Sequence, residues 1–180
     1  MRPIDRLNRW KAISCAGMAL CLPVAAAEQA PNELTSDRGA IRVTASAWET
    51  KAAGGVGDFP PEKTLDGDLK PASSWRAEVE DDAHGQWIAY DLGQVRTLQR
   101  VDVAFLKGNE RSYRFAMQVS TDGETWNEVF RGASSGKADG FESFAVPSLQ
   151  ARHIRLVGTG NTSEKFPKWF NIVETRVFGR

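Results

Sequence analysis

Cysteine is nearly absent from this chain: only Cys15 and Cys21 occur in 180 residues, and both fall among the first 27. The remainder has no thiol for a disulfide, a nucleophile or a zinc site, so its core must hold without a covalent staple. Histidine is almost as scarce, with only His84 and His153. There is no H-E-x-x-H pair and no G-x-S-x-G elbow, and no carboxylate pair has a persuasive catalytic spacing. Tyr113 near Arg111 could be pressed into service as a lyase base, yet nothing else in the sequence converges on it. Amphipathic helical periodicity of ordinary length is also missing, which leaves strands as the main element.

One long apolar run exists, at the start. Arg2, Arg6, Arg9 and Lys11 precede an apolar stretch from Ala12 to Ala27 that closes on Val24-Ala25-Ala26-Ala27. A basic lead, an apolar centre and small residues at its end are the pattern of an export signal peptide over residues 1–27, with cleavage expected after Ala27. About sixteen apolar residues broken by Pro23 fall short of the roughly twenty needed to span a bilayer. Lipid attachment at Cys21 is disfavoured by Leu20, where such sites prefer a small residue. The expected location is therefore periplasmic or extracellular, with no transmembrane segment in the mature chain.

The charges balance, 23 basic against 23 acidic. Removing the leader's four basic residues and Asp5 leaves 19 against 22, a net charge of −3. A nucleic-acid partner needs a basic footprint that this composition does not supply. Residues 28–39 are polar, carry Pro31 and lack periodicity, and read as a linker; the folded domain is expected over residues 40–180. About 150 residues suffice for one self-supporting core.

Within that domain, strand-like runs alternate with Gly, Pro, Asn and Asp clusters: Ile41–Ala45, Trp87–Leu92, Val101–Phe105, Phe115–Ser120, Glu128–Phe130, Phe141–Val146, His153–Val157 and Ile172–Phe178. About eight short strands of this kind imply an all-β, single antiparallel β-sandwich of jelly-roll type. Period-two alternation places Ile88, Tyr90 and Leu92 on one inward face, and Phe115, Met117 and Val119 on another. Trp75, Trp87 and Trp126 are expected in the core rather than at a binding site.

Four motifs stand out: GQWIAYDLG at 85–93, VSTDGETW at 119–126, LDGD at 65–68 and ARHIRLVG at 151–158. Together they resemble the discoidin, or coagulation factor V/VIII type C, family of β-sandwich binding modules, over residues 40–180. AFLKGNER at 104–111, FAMQVSTDGETW at 115–126 and VGTGNTS at 157–163 resemble, within it, the family 32 carbohydrate-binding modules attached to alginate lyases. The resemblance implies a binding protein, not an enzyme, with an acidic, uronate-containing polysaccharide such as alginate as its partner. Adhesion to a protein or lipid, and an accessory to a polysaccharide lyase or hydrolase with weak activity of its own, are the alternatives.

Sugar sites on β-sandwiches combine an aromatic face with planar polar side chains that bond hydroxyls or carboxylates. Candidate loops are 45–59, 107–111 and 158–169. By composition alone, the charged 105–111 stretch is equally an ordinary hairpin loop; the resemblance makes Lys107, Asn109 and Arg111 the expected polar contacts. It also implies Trp48 as stacking platform and Asn161 as donor, with Trp169 and Phe166 as alternative aromatics. His153 reads as a structural histidine in a strand.

The Asp-Gly turn in LDGD is, by composition, a solvated turn. The resemblance implies a structural calcium there, held by the side chains of Asp68, Ser73 and Glu174 and the carbonyl of Leu65, with Asp66 bracing the turn. Hard calcium takes six to eight oxygens, which carboxylates and turn carbonyls can provide. The interval from Asp66 to Trp75, with Lys70 and Pro71 inside it, is longer than the family's usual spacing.

Overall fold

The computed structural model describes residues 30–81 and 83–180. The segment expected to be a signal peptide, the expected cleavage site and both cysteines lie outside the described residues. Eight strands run in chain order: β1 Asn32–Glu33, β2 Arg42–Ala45, β3 Trp75–Glu78, β4 Gln86–Phe105, β5 Tyr113–Ser120, β6 Asn127–Ala133, β7 Phe141–Asn161 and β8 Trp169–Gly179. Only two short 3-10 turns, Lys51–Ala53 and Pro61–Leu65, interrupt the β structure among the described residues. Every pairing is antiparallel, in the order β1-β8-β4-β7-β5-β6, with β2 added to β4 and β3 to β8. The fold is an antiparallel β-sandwich, as the alternation predicts.

Two pairs of expected strands are in fact single long ones. Trp87–Leu92 and Val101–Phe105 both belong to β4, and Phe141–Val146 and His153–Val157 both belong to β7. Their mutual register breaks between Asp91 and Arg96 and again between Leu98 and Arg100. Bulges of this kind bend and twist a ladder without ending it. The turn residues at Leu92-Gly93-Gln94 that look like a strand break in the sequence mark such an irregularity.

The inward faces of these strands form one core. Ile88, Tyr90, Leu92, Phe115, Met117 and Val119 are all buried in it, as their alternation requires. Trp75 is completely buried, edge-on to Phe170 at 5.6 Å. Gly158 lies against the same Phe170 ring: a Cβ there would come within 2.0 Å of it, so only glycine fits.

Two expectations need correction. Trp87 and Trp126 are only half-buried, on the outer face, because Trp87 precedes inward-facing Ile88 in a period-two strand. The Arg155 guanidinium lies between them, 4.1 Å from the Trp126 ring centre and 5.9 Å from that of Trp87. The segment read as a linker also contributes to the fold from Asn32 on. β1 pairs Asn32 with Gly179 and Glu33 with Phe178; Thr35 is buried, and Leu34 packs on the core.

Candidate functional site at one end of the sandwich

All three loops singled out in the sequence contribute to the same end of the sandwich. A cavity of about 410 Å³ opens there, lined by Glu49 and Val56 from the β2–β3 connection, Lys107 and Arg111 from the β4–β5 loop, Phe166 from the β7–β8 loop and Trp169 from the start of β8. Pro71, Arg76 and Asn171 complete its wall, with Leu106 beneath. The loops are fastened from below. The Trp75 indole N–H donates to the Ala47 carbonyl at 2.9 Å, and the Val56 amide donates to Glu49 Oε1 at 2.9 Å.

Lys107 adopts φ 56°, the one non-glycine residue in left-handed backbone among the described residues. A side-chain-bearing residue held there is strained, a condition that clusters at ligand sites. Its carbonyl accepts from the amides of Glu110 and Arg111, at 2.9 and 3.2 Å, which turns the loop. The Lys107 ammonium, however, is met within the loop by Glu110 at 2.9 Å. Arg111 has no such carboxylate partner within ion-pair distance among the described residues.

Arg76 and Asn171 are functional candidates that the sequence reading missed. They face each other across the β3–β8 pair, on the side opposite the core residues Trp75 and Phe170. The Arg76 guanidinium lies 3.6 Å over the Phe59 ring and donates to Ser74 Oγ at 3.0 Å and the Pro71 carbonyl at 2.8 Å. Burial lowers its pKa, and the charge of Glu49 acts in the other direction. Asn171 is buried and its Oδ1 has no hydrogen-bond partner. A buried amide oxygen left without a donor is costly. The signal for both residues was the alternation itself: each is the outward neighbour of an obvious core aromatic.

The other expected contacts separate. Trp169 lies in the cavity wall, but Asn109 is exposed and lines no cavity here. Trp48, 44% exposed, belongs to an adjoining cavity of about 450 Å³ that shares only Glu49, Val56 and Trp169 with the first. Asn161 is not available to a ligand. It is 2% exposed, its Nδ2 donates to the carbonyls of Phe166 and Trp169 at 2.9 and 2.7 Å, and its Oδ1 accepts from the Ser163 amide at 2.7 Å. Its role is to fold the loop that presents the two aromatics. Tyr113 is buried and donates to the Leu106 carbonyl at 2.7 Å; burial pushes its hydroxyl up to about 12.

The Asp-Gly loop sits behind the cavity wall, joined to it through the Pro71 carbonyl on Arg76. Glu174, 2% exposed, accepts the Gly67 amide on Oε2 at 3.1 Å, while its Oε1 faces Arg38 at 3.7 Å. Burial pushes this carboxyl up to about 7, against the pull of Gly67 and Arg38. A buried carboxylate so sparsely partnered suits a hard cation. Ser73 Oγ donates to Asp66, whose other oxygen accepts the Asp68 amide at 2.8 Å. Asp68 itself bonds the amide and ammonium of Lys70. Asp66, rather than Asp68, is thus the loop carboxylate bonded to Ser73. Among the described residues no group of three or more His, Cys, Asp and Glu side chains could hold a metal.

The F5/8 type C domain family matches residues 42–172 of the chain. The chain belongs to that family. A solved structure described as the CBM32 of AlyQ in complex with 4,5-unsaturated mannuronic acid is 34% identical, covers 76% of this chain and 93% of its own, and has a TM-score of 0.65. A pectin-binding carbohydrate-binding module is similar in fold, at 22% identity, 76% and 88% coverage and a TM-score of 0.63. So is the family 32 module of Clostridium perfringens NanJ in complex with galactose, at 12% identity, 82% and 98% coverage and a TM-score of 0.62. No curated protein sequence matches the chain. No helix among the described residues is long and apolar enough to cross a membrane.

Proposed function

We propose that this F5/8 type C protein is an exported, non-catalytic carbohydrate-binding protein that takes an acidic, uronate-containing polysaccharide at the 410 Å³ cavity. The observation that carries this reading is the meeting of two guanidiniums in one wall. Arg76 and Arg111 have no carboxylate within ion-pair distance among the described residues. A uronate supplies the complement, a carboxylate for the planar guanidiniums. Trp169 and Phe166 offer apolar faces to the sugar ring. The similarity to a module solved with an unsaturated uronate supports the same chemistry.

The non-catalytic reading rests on Tyr113. Tyr113, the one side chain that could act as a lyase base beside Arg111, has its hydroxyl committed to a backbone carbonyl and is held protonated by burial. We also assign a structural calcium to the Asp-Gly loop, held by the Leu65 carbonyl and the oxygens of Asp66, Ser73 and Glu174. Bound there, it would neutralise Glu174 and steady the loop that bonds Arg76.

Calorimetric titration with unsaturated oligomannuronate tests the function. Arg76→Ala with Arg111→Ala should weaken binding by roughly 100-fold, about 1.5 kcal/mol for each charged hydrogen-bonding group. Lys107→Ala should cost less than about 1 kcal/mol, because Glu110 already pairs it at an exposed position. Unchanged binding in the double variant refutes the site, and release of unsaturated product refutes the non-catalytic reading. A second reading, adhesion to a lipid or protein surface, is favoured by Val56 standing 83% exposed at this end, near Phe166 at 46% and Trp48 at 44%. Anionic vesicles in the same titration separate the two.

A further inference from the structure

We infer that the binding end reads two neighbouring sugar units of different charge: a uronate, and beside it a unit that carries no carboxylate. The inference rests on the uronate reading of the first cavity and extends it to the second. That adjoining cavity, about 450 Å³, is walled by Trp48 and Trp169 and rimmed by Glu49, Glu78 and Glu80. No Lys, Arg or His lines it. None of the three glutamates has an ion-pair partner within 4 Å among the described residues; Glu49 stands between the two cavities, Glu78 and Glu80 line only the second, and Arg76 and Arg111, without close carboxylate partners, line only the first.

The sheet sets the two charges side by side. On β3, Arg76 and Glu78 point to the same face two residues apart, roughly 6.7 Å along the strand. Arg76 is opposite Asn171 and Glu78 opposite Trp169 on β8, so one cross-strand pair belongs to the first cavity and the next to the boundary between them. Trp169 is common to both walls. A chain whose uronate sits against Arg76 and Arg111 therefore places its next unit against tryptophan faces and carboxylates. Carboxylates accept hydroxyl hydrogens well, and they repel a second uronate. The partner this fits is a heteropolysaccharide in which uronates alternate with neutral or amino sugars, in preference to an unbroken polyuronate.

The experiment compares three tetrasaccharides by calorimetric titration at low salt: an oligouronate, an alternating uronate–neutral hexose chain, and a neutral chain. Wild type and Glu78→Gln with Glu80→Gln are both titrated; these two side chains are exposed, and thermal melting confirms folding. The wild type should bind the alternating chain roughly tenfold more tightly than the oligouronate, and the variant should bring the two within about threefold by gaining affinity for the oligouronate. Equal affinities in the wild type, or a preference that the variant leaves intact, overturn the inference while the uronate site stands. Binding of the neutral chain alone, or of none of the three, overturns both.

Discussion

Asn161→Ala separates a folding role from a ligand role at this site. The side chain is buried and makes three hydrogen bonds of 2.7 to 2.9 Å that close the loop from residue 161 to residue 169. At about 1 kcal/mol for each bond, its removal should cost roughly 3 kcal/mol of stability, with two carbonyls and one amide left to find water. In a domain of this size that is a fall of roughly 6 to 12 °C in the melting midpoint. Urea unfolding followed by tryptophan fluorescence measures the loss directly. Asn161→Asp keeps the acceptor for the Ser163 amide but sets a carboxylate against two carbonyls, so it should be at least as destabilising. Uronate affinity should fall with it, because Phe166 and Trp169 lose their anchor. If Asn161→Ala melts within about 2 °C of wild type and still loses binding, the residue touches ligand and the bracing argument fails.

Two further outcomes follow from other parts of the fold. Asp91 is held at about 2, below its ordinary value, first by the Arg152 guanidinium that bonds both its oxygens, at 2.7 and 2.8 Å. A depressed carboxyl stabilises the fold above its ordinary pKa near 3.8 and loses that contribution as pH falls toward 2. Arg152 is 42% exposed, so screening trims the effect, and Arg152→Ala should flatten urea stability between pH 2 and pH 4; identical pH profiles would show the pair is neutral. At the Asp-Gly loop, calcium at 100 times its dissociation constant should add about 2.7 kcal/mol of stability that a chelator removes. Glu174→Gln should abolish the calcium response, and wild-type melting indifferent to both calcium and chelator would eliminate the ion.

The strands were legible because alternation is a local property. Ile88, Tyr90 and Leu92 declare their buried face without any knowledge of their partners, as do Phe115, Met117 and Val119. β1 escaped notice because its two residues, Asn32 and Glu33, carry no pattern; only pairing with Phe178 and Gly179 makes them a strand. Trp87 and Trp126 misled for the opposite reason, since a large apolar residue reads as core when its face is really set by phase. At the site, Lys107 and Arg111 could be read from the loop that carries them, and Trp169 from its place at the end of the 158–169 stretch. The hidden features were contacts: within single loops, that Asn161 is spent on two carbonyls and that Glu110 meets Lys107, and between elements, that Glu78 and Glu80 stand near Trp48. The first two depend on loop conformation and the last on strand placement, and none of these is written in a local alternation.

Register also explains why this end can be specific. Trp75 and Ala77 face the core from β3, as do Phe170 and Ile172 from β8, and the pairing of Trp75 with Ile172 and Ala77 with Phe170 is locked by that burial. A slip of one residue would bring the charged Arg76 and Glu78 inward and the tryptophan outward, which the core forbids. The outward pairs, Arg76 with Asn171 and Glu78 with Trp169, are therefore fixed by the same contacts that hold the sandwich together. Their spacing is that of a pleated strand, not of a mobile loop. Ligand groups that must reach both an arginine and, one step along, a tryptophan beside a carboxylate meet a preorganised surface, so little of the binding free energy is lost in ordering it. The loops add Arg111, Phe166 and Trp48 around that rigid pair, and they are where relatives of this fold can change partners without disturbing the core.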